Sequence, residues 1–554
     1  MNAEVVEVTD NLLIAAVGLP AATALVLVVF GIALGTVGLP ALPPSIWRLV
    51  GLLASAATFL VMVFGVLLGF DPEVLGFQHV ASYAWSDSFG ARLQLGVDGI
   101  GLCFMLSTAG LVPLAMLSAD RERRDFTRAW VLVCLLLETS LLGALAATNL
   151  LAFVFFWTVS LVPILLWMAY WGGLGRARAA SRIWATESIG LAGLLYVAFV
   201  LQESTLVQFG APTLDLVSLG AAAVESPAPN LLDVQLEPAA QWTLFVTMIV
   251  ALSMRLPMVP LHYWLPGAHA SAPTGLSVLL ATGFVQTAAL GMLRFTLPLF
   301  PDAAMAAGPA LSVIGIFALV YASLIALVQK ELKRLVAYAS VGYAGFALFG
   351  ISTLNVQGLT GAVLQLLTHG LATAGLFMLI GFLALRRKTT EVAAFGGLAK
   401  PMPVCAFFFG VLVLSLMGLP LLGGFVGDLF VLLGSLETRR ELSVVALVAM
   451  VVAASYLLWV QRRLFLGPVE EPANRGLIDL DRVERGILLA MTIPIFAIGV
   501  YPNPLLRRIE PAVLEILYQM DRRATPSELP DPESQPAREL VHRERVRRPA
   551  KAAP

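Results

Sequence analysis

Charge is scarce in this chain. Only 13% of its 554 residues are charged, against 58% that are hydrophobic, roughly half the charged share of an ordinary soluble domain. Water cannot be the main solvent for such a surface; a lipid bilayer can. The net charge is -1, which gives no basic field for nucleic acid, so the few charges matter by position rather than by sum. Cysteine is nearly absent: Cys103, Cys134 and Cys405 each stand alone in an apolar run, leaving no paired spacing for a disulfide framework, zinc or an iron-sulfur cluster. No glycine fingerprint for a dinucleotide and no phosphate loop occur, so a redox cofactor or nucleotide would have to sit on another subunit. The first residues lack the basic start of a cleaved signal, and the first hydrophobic run is expected to stay as a helix.

Long hydrophobic runs are what the chain has in abundance. Stretches able to cross a bilayer, about 20 residues each, begin near residues 11, 47, 98, 129, 150, 185, 241, 275, 306, 331, 359, 402, 440 and 483. They predict an all-α integral membrane protein with about fourteen transmembrane helices. Pro257, Pro260, Pro266 and Pro273 interrupt predicted helix 7 and predict a break there. The basic residues follow the count. The loops after predicted helices 3, 5, 9 and 11 hold Arg121, Arg123, Arg124 and Arg128; Arg176, Arg178 and Arg182; Lys330, Lys333 and Arg334; and Arg386, Arg387, Lys388 and Lys400. The loops after helices 4, 6, 8 and 10 hold none. Positive charge marks the cytoplasmic side, which predicts both termini on the outer, periplasmic side; Arg439 and Arg440 after helix 12 are the mild exception.

Residues 203–238 and the tail 521–554 read as extramembrane, the tail as charged, Pro-rich and disordered. Between Leu505 and Met520, residues Ile509, Val513, Ile516 and Leu517 share one side, the pattern of an amphipathic helix at a membrane surface. Predicted helix 12 contains Gly418-Leu419-Pro420-Leu421-Leu422-Gly423-Gly424, an interruption like that of helix 7. Paired broken helices suggest two inverted five-helix repeats, although glycine and proline are also common in membrane helices generally. The expected organisation is 1–128 for helices 1–3, 129–300 for a first repeat of helices 4–8, 301–465 for a second repeat of helices 9–13, 466–520 for the last span and amphipathic segment, and 521–554 for the tail.

Several ordered strings go beyond composition: Leu95-Gly96-Val97-Asp98-Gly99-Ile100, Arg255-Leu256-Pro257-Met258-Val259-Pro260-Leu261-His262 through Trp264-Leu265-Pro266 to His269, Ala272-Pro273-Thr274, Lys333-Arg334-Leu335-Val336-Ala337-Tyr338, and Gly424-Phe425-Val426-Gly427-Asp428. With these the chain resembles the antiporter-like M subunits of respiratory complex I, a family shared with Mrp-type cation/proton antiporters and membrane-bound hydrogenases. The M type rests on Gln461 to Pro468, Tyr501-Pro502-Asn503-Pro504 and Ile509-Glu510-Pro511; the L type has a long lateral helix and a further anchor for which this chain is too short.

A charge inside a bilayer costs about 2.5–3.5 kcal/mol on insertion scales, so each is a functional candidate. Glu138, mid-helix with no local cation, is either part of a hydrated proton path or a structural carboxyl. The resemblance implies further proton-path positions: a Glu on helix 5, a Lys on broken helix 7, a central Lys on helix 8, His on helices 10 and 11, and a Glu or Lys on helix 12. Here those positions read Thr158, Arg255, Gln286, Tyr343, His369 and Asp428. Arg255 keeps a charge it cannot release, and Thr158, Gln286 and Tyr343 are losses, neutral groups that hold water rather than carry charge. Since Thr158 cannot pair with Arg255, Glu138 is the expected partner. His369 reads as a relay or a satisfied core histidine, Asp428 as a path carboxylate or a local cap, His262 and His269 as structural hydrogen-bonding groups, and Lys333 and Arg334 as orientation charges.

The resemblance implies an antiporter-like membrane-arm subunit of an NADH:quinone oxidoreductase in a bacterial inner membrane, taking part in proton translocation that these losses impair or abolish. NADH, FMN, iron-sulfur clusters and quinone are expected on partner subunits, with none on this chain and no metal. Antiporter-like L and N subunits and lipids are the expected partners in a hetero-oligomer, and nucleic acid is not. The alternatives are an Mrp-like exchanger subunit or the membrane subunit of a hydrogenase or inorganic-carbon transport complex.

Overall fold

The computed structural model describes residues 11–36, 40, 42–86, 89–122, 128–217, 229–469 and 471–524; the predicted tail beyond 524, much of the loop before helix 7, and Arg123 and Arg124 lie outside them. Predicted helices 1 to 6 are α1 (Asn11–Thr36), α2 (Pro44–Val61), α3 (Gly99–Glu122), α4 (Arg128–Ala146), α5 (Leu150–Trp171) and α6 (Arg176–Phe209). Helix 7 is broken into α7 (Pro238–Arg255) and α8 (Leu265–Ser271). Leu256, the residue before Pro257, leaves the helical region at ψ 101°, as the proline ring requires of its predecessor. Helix 8 is built of α9 (Thr274–Leu279), α10 (Val285–Gly291) and α11 (Leu297–Leu299), joined by π-turns at Leu280–Phe284 and Met292–Thr296.

Next come α12 (Pro301–Leu327), α13 (Leu332–Ile351) and α14 (Val356–Arg387), then a second broken crossing, α15 (Pro403–Leu416) and α16 (Gly423–Thr438). The last elements are α17 (Arg440–Phe465), the short α18 (Pro472–Arg475), α19 (Arg482–Val500) and α20 (Asn503–Arg523). Among the described residues twelve helices are long and apolar enough to span a membrane, and the two broken crossings complete the predicted set. Burial sorts them into layers. The apolar windows of helix 8 and of α14 are 100% buried, whereas those of α1, α6, α17 and α19 are 28–39% buried. Helix 8 and α14 are therefore the axis of the bundle, and the others present faces to lipid or partners.

The amphipathic segment forms α20, and Ile509, Val513 and Ile516 are buried on it. That face packs on α3, α11 and α14, so protein covers it where a membrane surface was expected.

Between α2 and α3 the structure adds a hairpin, β1 (Gln78–Ser86) and β2 (Ala91–Val97), antiparallel with Ala81 opposite Leu95 and Tyr83 opposite Leu93. It anchors the loop after α6: Gln94 Nε2 donates to the Val217 carbonyl at 3.0 Å, and Thr148 Oγ1 donates to Gln94 Oε1 at 2.9 Å. Asn149 joins these parts. Its Oδ1 caps α5 by accepting from the amides of Leu151 and Ala152, satisfying donors that no helix can pair internally, while Nδ2 donates to Asp215 Oδ1 at 2.7 Å. Burial pushes the Asp215 carboxyl up to about 6, against the opposing pull of the Asn149 amide and the Arg92 guanidinium.

Candidate ion-translocation axis

Arg255, the last residue of α7, is wholly buried. A charge there survives only if it is paired and hydrogen-bonded. Its partner is Glu187 of α6: Nε and Nη2 donate to Glu187 Oε2 at 3.0 and 2.8 Å. Nη2 also donates to the Trp157 carbonyl at 3.3 Å, and Nη1 to Thr287 Oγ1 at 3.4 Å. The guanidinium lies 3.4 Å from the Trp157 ring centroid and 4.0 Å from that of Phe284, cation–π contacts strengthened by exclusion of water.

This corrects the expected partner. Glu138 instead faces α2, accepting from Ser55 Oγ at 3.0 Å, and its neighbour Thr139 accepts the Ala21 amide of α1. The polar turn of α4 thus faces α1 and α2, while Arg255 emerges among α5, α6 and helix 8. Thr158 turns its hydroxyl onto its own helix, donating to the Val154 carbonyl.

From Arg255 the polar groups run on across the bundle. Gln286, next to the Thr287 that Arg255 reaches, is fully buried, and neither end of its amide has a protein partner among the described residues. A methyl placed on Gly370 of α14 would sit 3.5 Å from Gln286 Nε2, ordinary contact distance, so the amide lies beside α14 at this glycine. His369, adjoining Gly370, shares a hydrogen bond of 3.0 Å between Nε2 and Thr373 Oγ1. Its ring lies 4.2 Å, centroid to centroid, from that of Tyr343 on α13. The Tyr343 hydroxyl donates to the Leu416 carbonyl at the end of α15. Two residues on, Gly418 turns the chain at φ 70°, and a methyl there would lie 2.6 Å from Asp428 Oδ2 of α16. Asp428 is buried and makes no hydrogen bond to the freed backbone of that turn among the described residues, so the local-cap reading fails.

The structure thus brings Arg255, Gln286, His369, Tyr343 and Asp428 into one file through both broken crossings, and sets Glu138 apart. The file has a paired guanidinium at one end and a carboxyl at the other, with an amide, an imidazole and a phenol between them.

The remaining polar candidates lie off this file. Lys333 is buried near the start of α13 and donates to the Ala272 carbonyl at 2.8 Å, which satisfies backbone at the break after α8; Arg334, paired with Glu331, is exposed. His269 stacks on Phe377 at 4.4 Å, and His262 meets Tyr321 edge-on. A second buried pair was not expected from the sequence. Arg294 donates to Asp98 Oδ1 at 3.0 Å and to the carbonyls of Leu145 and Ala147, both at 2.9 Å. Its sign was an arginine inside the apolar run of helix 8. No group of three or more His, Cys, Asp and Glu among the described residues is placed to hold a metal.

The comparisons agree with this architecture. The chain is 34% identical over 476 residues to NADH-quinone oxidoreductase subunit M of Rhodobacter capsulatus, covering 84% of this chain and 90% of the relative. A chain of respiratory complex I from Thermus thermophilus with bound NADH superposes at a TM-score of 0.78 with 28% identity, over 92% of this chain and 99% of that one. A chain of the Mrp complex from Dietzia sp. superposes at 0.74 with 18% identity, over 93% and 100%, a likeness of fold alone. Residues 147–454 match the family described as NADH:quinone oxidoreductase/Mrp antiporter, transmembrane, and to that family this chain belongs.

Proposed function

We propose that the chain is the M-type, antiporter-like membrane subunit of an NADH:quinone oxidoreductase, taking part in proton translocation with a reduced throughput of its own. The observation that carries this reading is the file of buried polar groups from Arg255 to Asp428. Such a file suits a route across the core, and the relatives that share most of this chain's length include M subunits. Reduced throughput follows from Gln286 at the centre. An amide can orient water, but it cannot gain or lose a proton between neutral states at physiological pH.

On this reading NADH, FMN, iron-sulfur clusters and quinone belong to partner subunits, and this chain packs between L- and N-type neighbours in a bacterial inner membrane. The basic loops after α3, α5, α12 and α14 support termini on the outer side. The breaks in helices 7 and 12 support two inverted repeats over helices 4–8 and 9–13.

The test is to restore titratable groups. Thr158→Glu with Gln286→Lys, in the assembled enzyme reconstituted in vesicles, should raise the protons moved per electron pair. An unchanged ratio would reject the claim that these positions limit throughput. Copurification of the chain with NADH-oxidising subunits tests the assembly itself; copurification with small exchanger subunits would instead favour a cation/proton antiporter.

A further inference from the structure

Arg255 and Glu187 form an ion pair in which only one member is free to change. The guanidinium lies between the Trp157 and Phe284 rings and gives hydrogen bonds to Glu187, Trp157 and Thr287. It also stays protonated at any physiological pH. Glu187 is held differently. Both of its bonds from Arg255 fall on Oε2, and Oε1 is buried without a hydrogen-bond partner among the described residues. Buried carboxylate oxygens are seldom left unbonded, so Oε1 is a natural place for a proton or a water.

We propose that Glu187 is the proton-loading group of this axis, with Arg255 as its fixed counter-charge. The inference deepens the translocation reading above and rests on it for its physiological meaning. Loading forms one O–H bond at Oε1, with the proton drawn from water on the side of the basic loops. The pair then changes from neutral to a net single positive charge, which Arg255 presents to Thr287 and the adjoining Gln286. Release to water breaks the O–H bond and returns the pair to neutrality, with no change of redox state. Glu187 is well placed for this. It lies eleven residues into α6 from Arg176, roughly 16 Å along the helix. The preceding Thr186 contacts the half-exposed Tyr263 through a 2.9 Å hydroxyl bond, a polar step toward the surface. Of this pair only the carboxylate on α6 can change its charge.

Difference infrared spectroscopy of the purified complex across a pH series tests the assignment. The wild-type protein should show a carboxylic-acid band whose intensity follows pH, absent from Glu187→Gln. In Arg255→Gln the carboxyl, deprived of its counter-charge, should stay protonated and the band should stop responding to pH. In a Gln286→Lys background, Glu187→Gln should abolish any gain in protons per electron pair, and Glu187→Asp should keep part of it. Identical spectra for wild type and Glu187→Gln over the whole series would overturn the proposal. If Glu187→Gln does not assemble, the pH response in Arg255→Gln and Glu187→Asp decides, and an unaltered response in both refutes it. Should the chain not copurify with NADH-oxidising subunits, the assembly reading fails while the infrared result still stands or falls by itself.

Discussion

Removing the guanidinium of Arg294 should be among the most damaging single changes in the protein. Arg294 joins two helix ends. Its Nη1 donates to the carbonyls of Leu145 and Ala147, where α4 stops, and its Nη2 donates to Asp98. Asp98 in turn accepts the Gly101 amide at 2.6 Å at the start of α3. The acid therefore stands at a helix N-terminus and the base at a helix C-terminus, where each is favoured by the backbone dipoles, and orphan backbone groups are satisfied at both ends. Arg294→Met keeps an unbranched apolar stem and removes three hydrogen bonds. It leaves a buried carboxylate and two buried carbonyls without their partner. Breaking a buried pair from one side costs about 3–5 kcal/mol, because the charge left behind loses its compensation. Hydrogen exchange of the amides at the start of α3, with the complex in detergent, reads the opening free energy directly. Adding Asp98→Asn to Arg294→Met should cost less than the sum of the single changes, with a coupling of about 0.5–3 kcal/mol. A loss below about 1 kcal/mol in Arg294→Met, or strict additivity, would refute the reasoning.

Three other outcomes are expected. A methyl at Gly99 would collide with the Arg508 carbonyl of α20, so Gly99→Ala should loosen the docking of residues 503–523, seen as faster proteolysis there while the rest of the bundle resists. Burial lifts the Asp215 carboxyl to about 6, so the folded loop holds its proton more tightly than the unfolded chain. Its stabilisation is complete below about pH 4 and is lost as pH rises through about 6, by about 3 kcal/mol at most. Exchange of amides 211–217 should therefore quicken over that window, and Asp215→Asn should flatten the dependence. Tyr343→Phe strips the Leu416 carbonyl of its donor and should cost about 1–3 kcal/mol, measured by denaturation of the assembled complex; a smaller loss would mean that another donor reaches this carbonyl.

Much of the fold was legible because membrane helices announce themselves by length. The expected starts at residues 150, 275, 402, 440 and 483 fall within a residue of α5, α9, α15, α17 and α19, and Pro257 marked the end of α7. The charges were harder to read. The start of helix 6 was expected near residue 185, and no role was assigned to Glu187, but α6 begins at Arg176 and carries Glu187 deep into the bundle. Arg-rich helix starts blur such boundaries, since their apolar stems extend a helix beyond the hydrophobic window. The hairpin was missed because two strands of nine and seven residues give a weak signal beside runs of twenty. The partner of Arg255 could not be read at all: sixty-eight residues separate it from Glu187, and only packing decides which helix stands opposite.

The two π-turns of helix 8 each wind one residue more into a turn than an α-helix would. A single extra residue swings everything beyond it by about 100° around the axis. Gln286 lies after the first such turn, and Arg294 lies within the second. The rod thus has two bearings: one aims an amide at Gly370 in the core, and the other aims a guanidinium at Asp98 and the end of α4. Deleting one residue between Leu280 and Phe284 would keep the helix and shorten it by about 1.5 Å, yet it would turn the compass of its central amide relative to the segment before it.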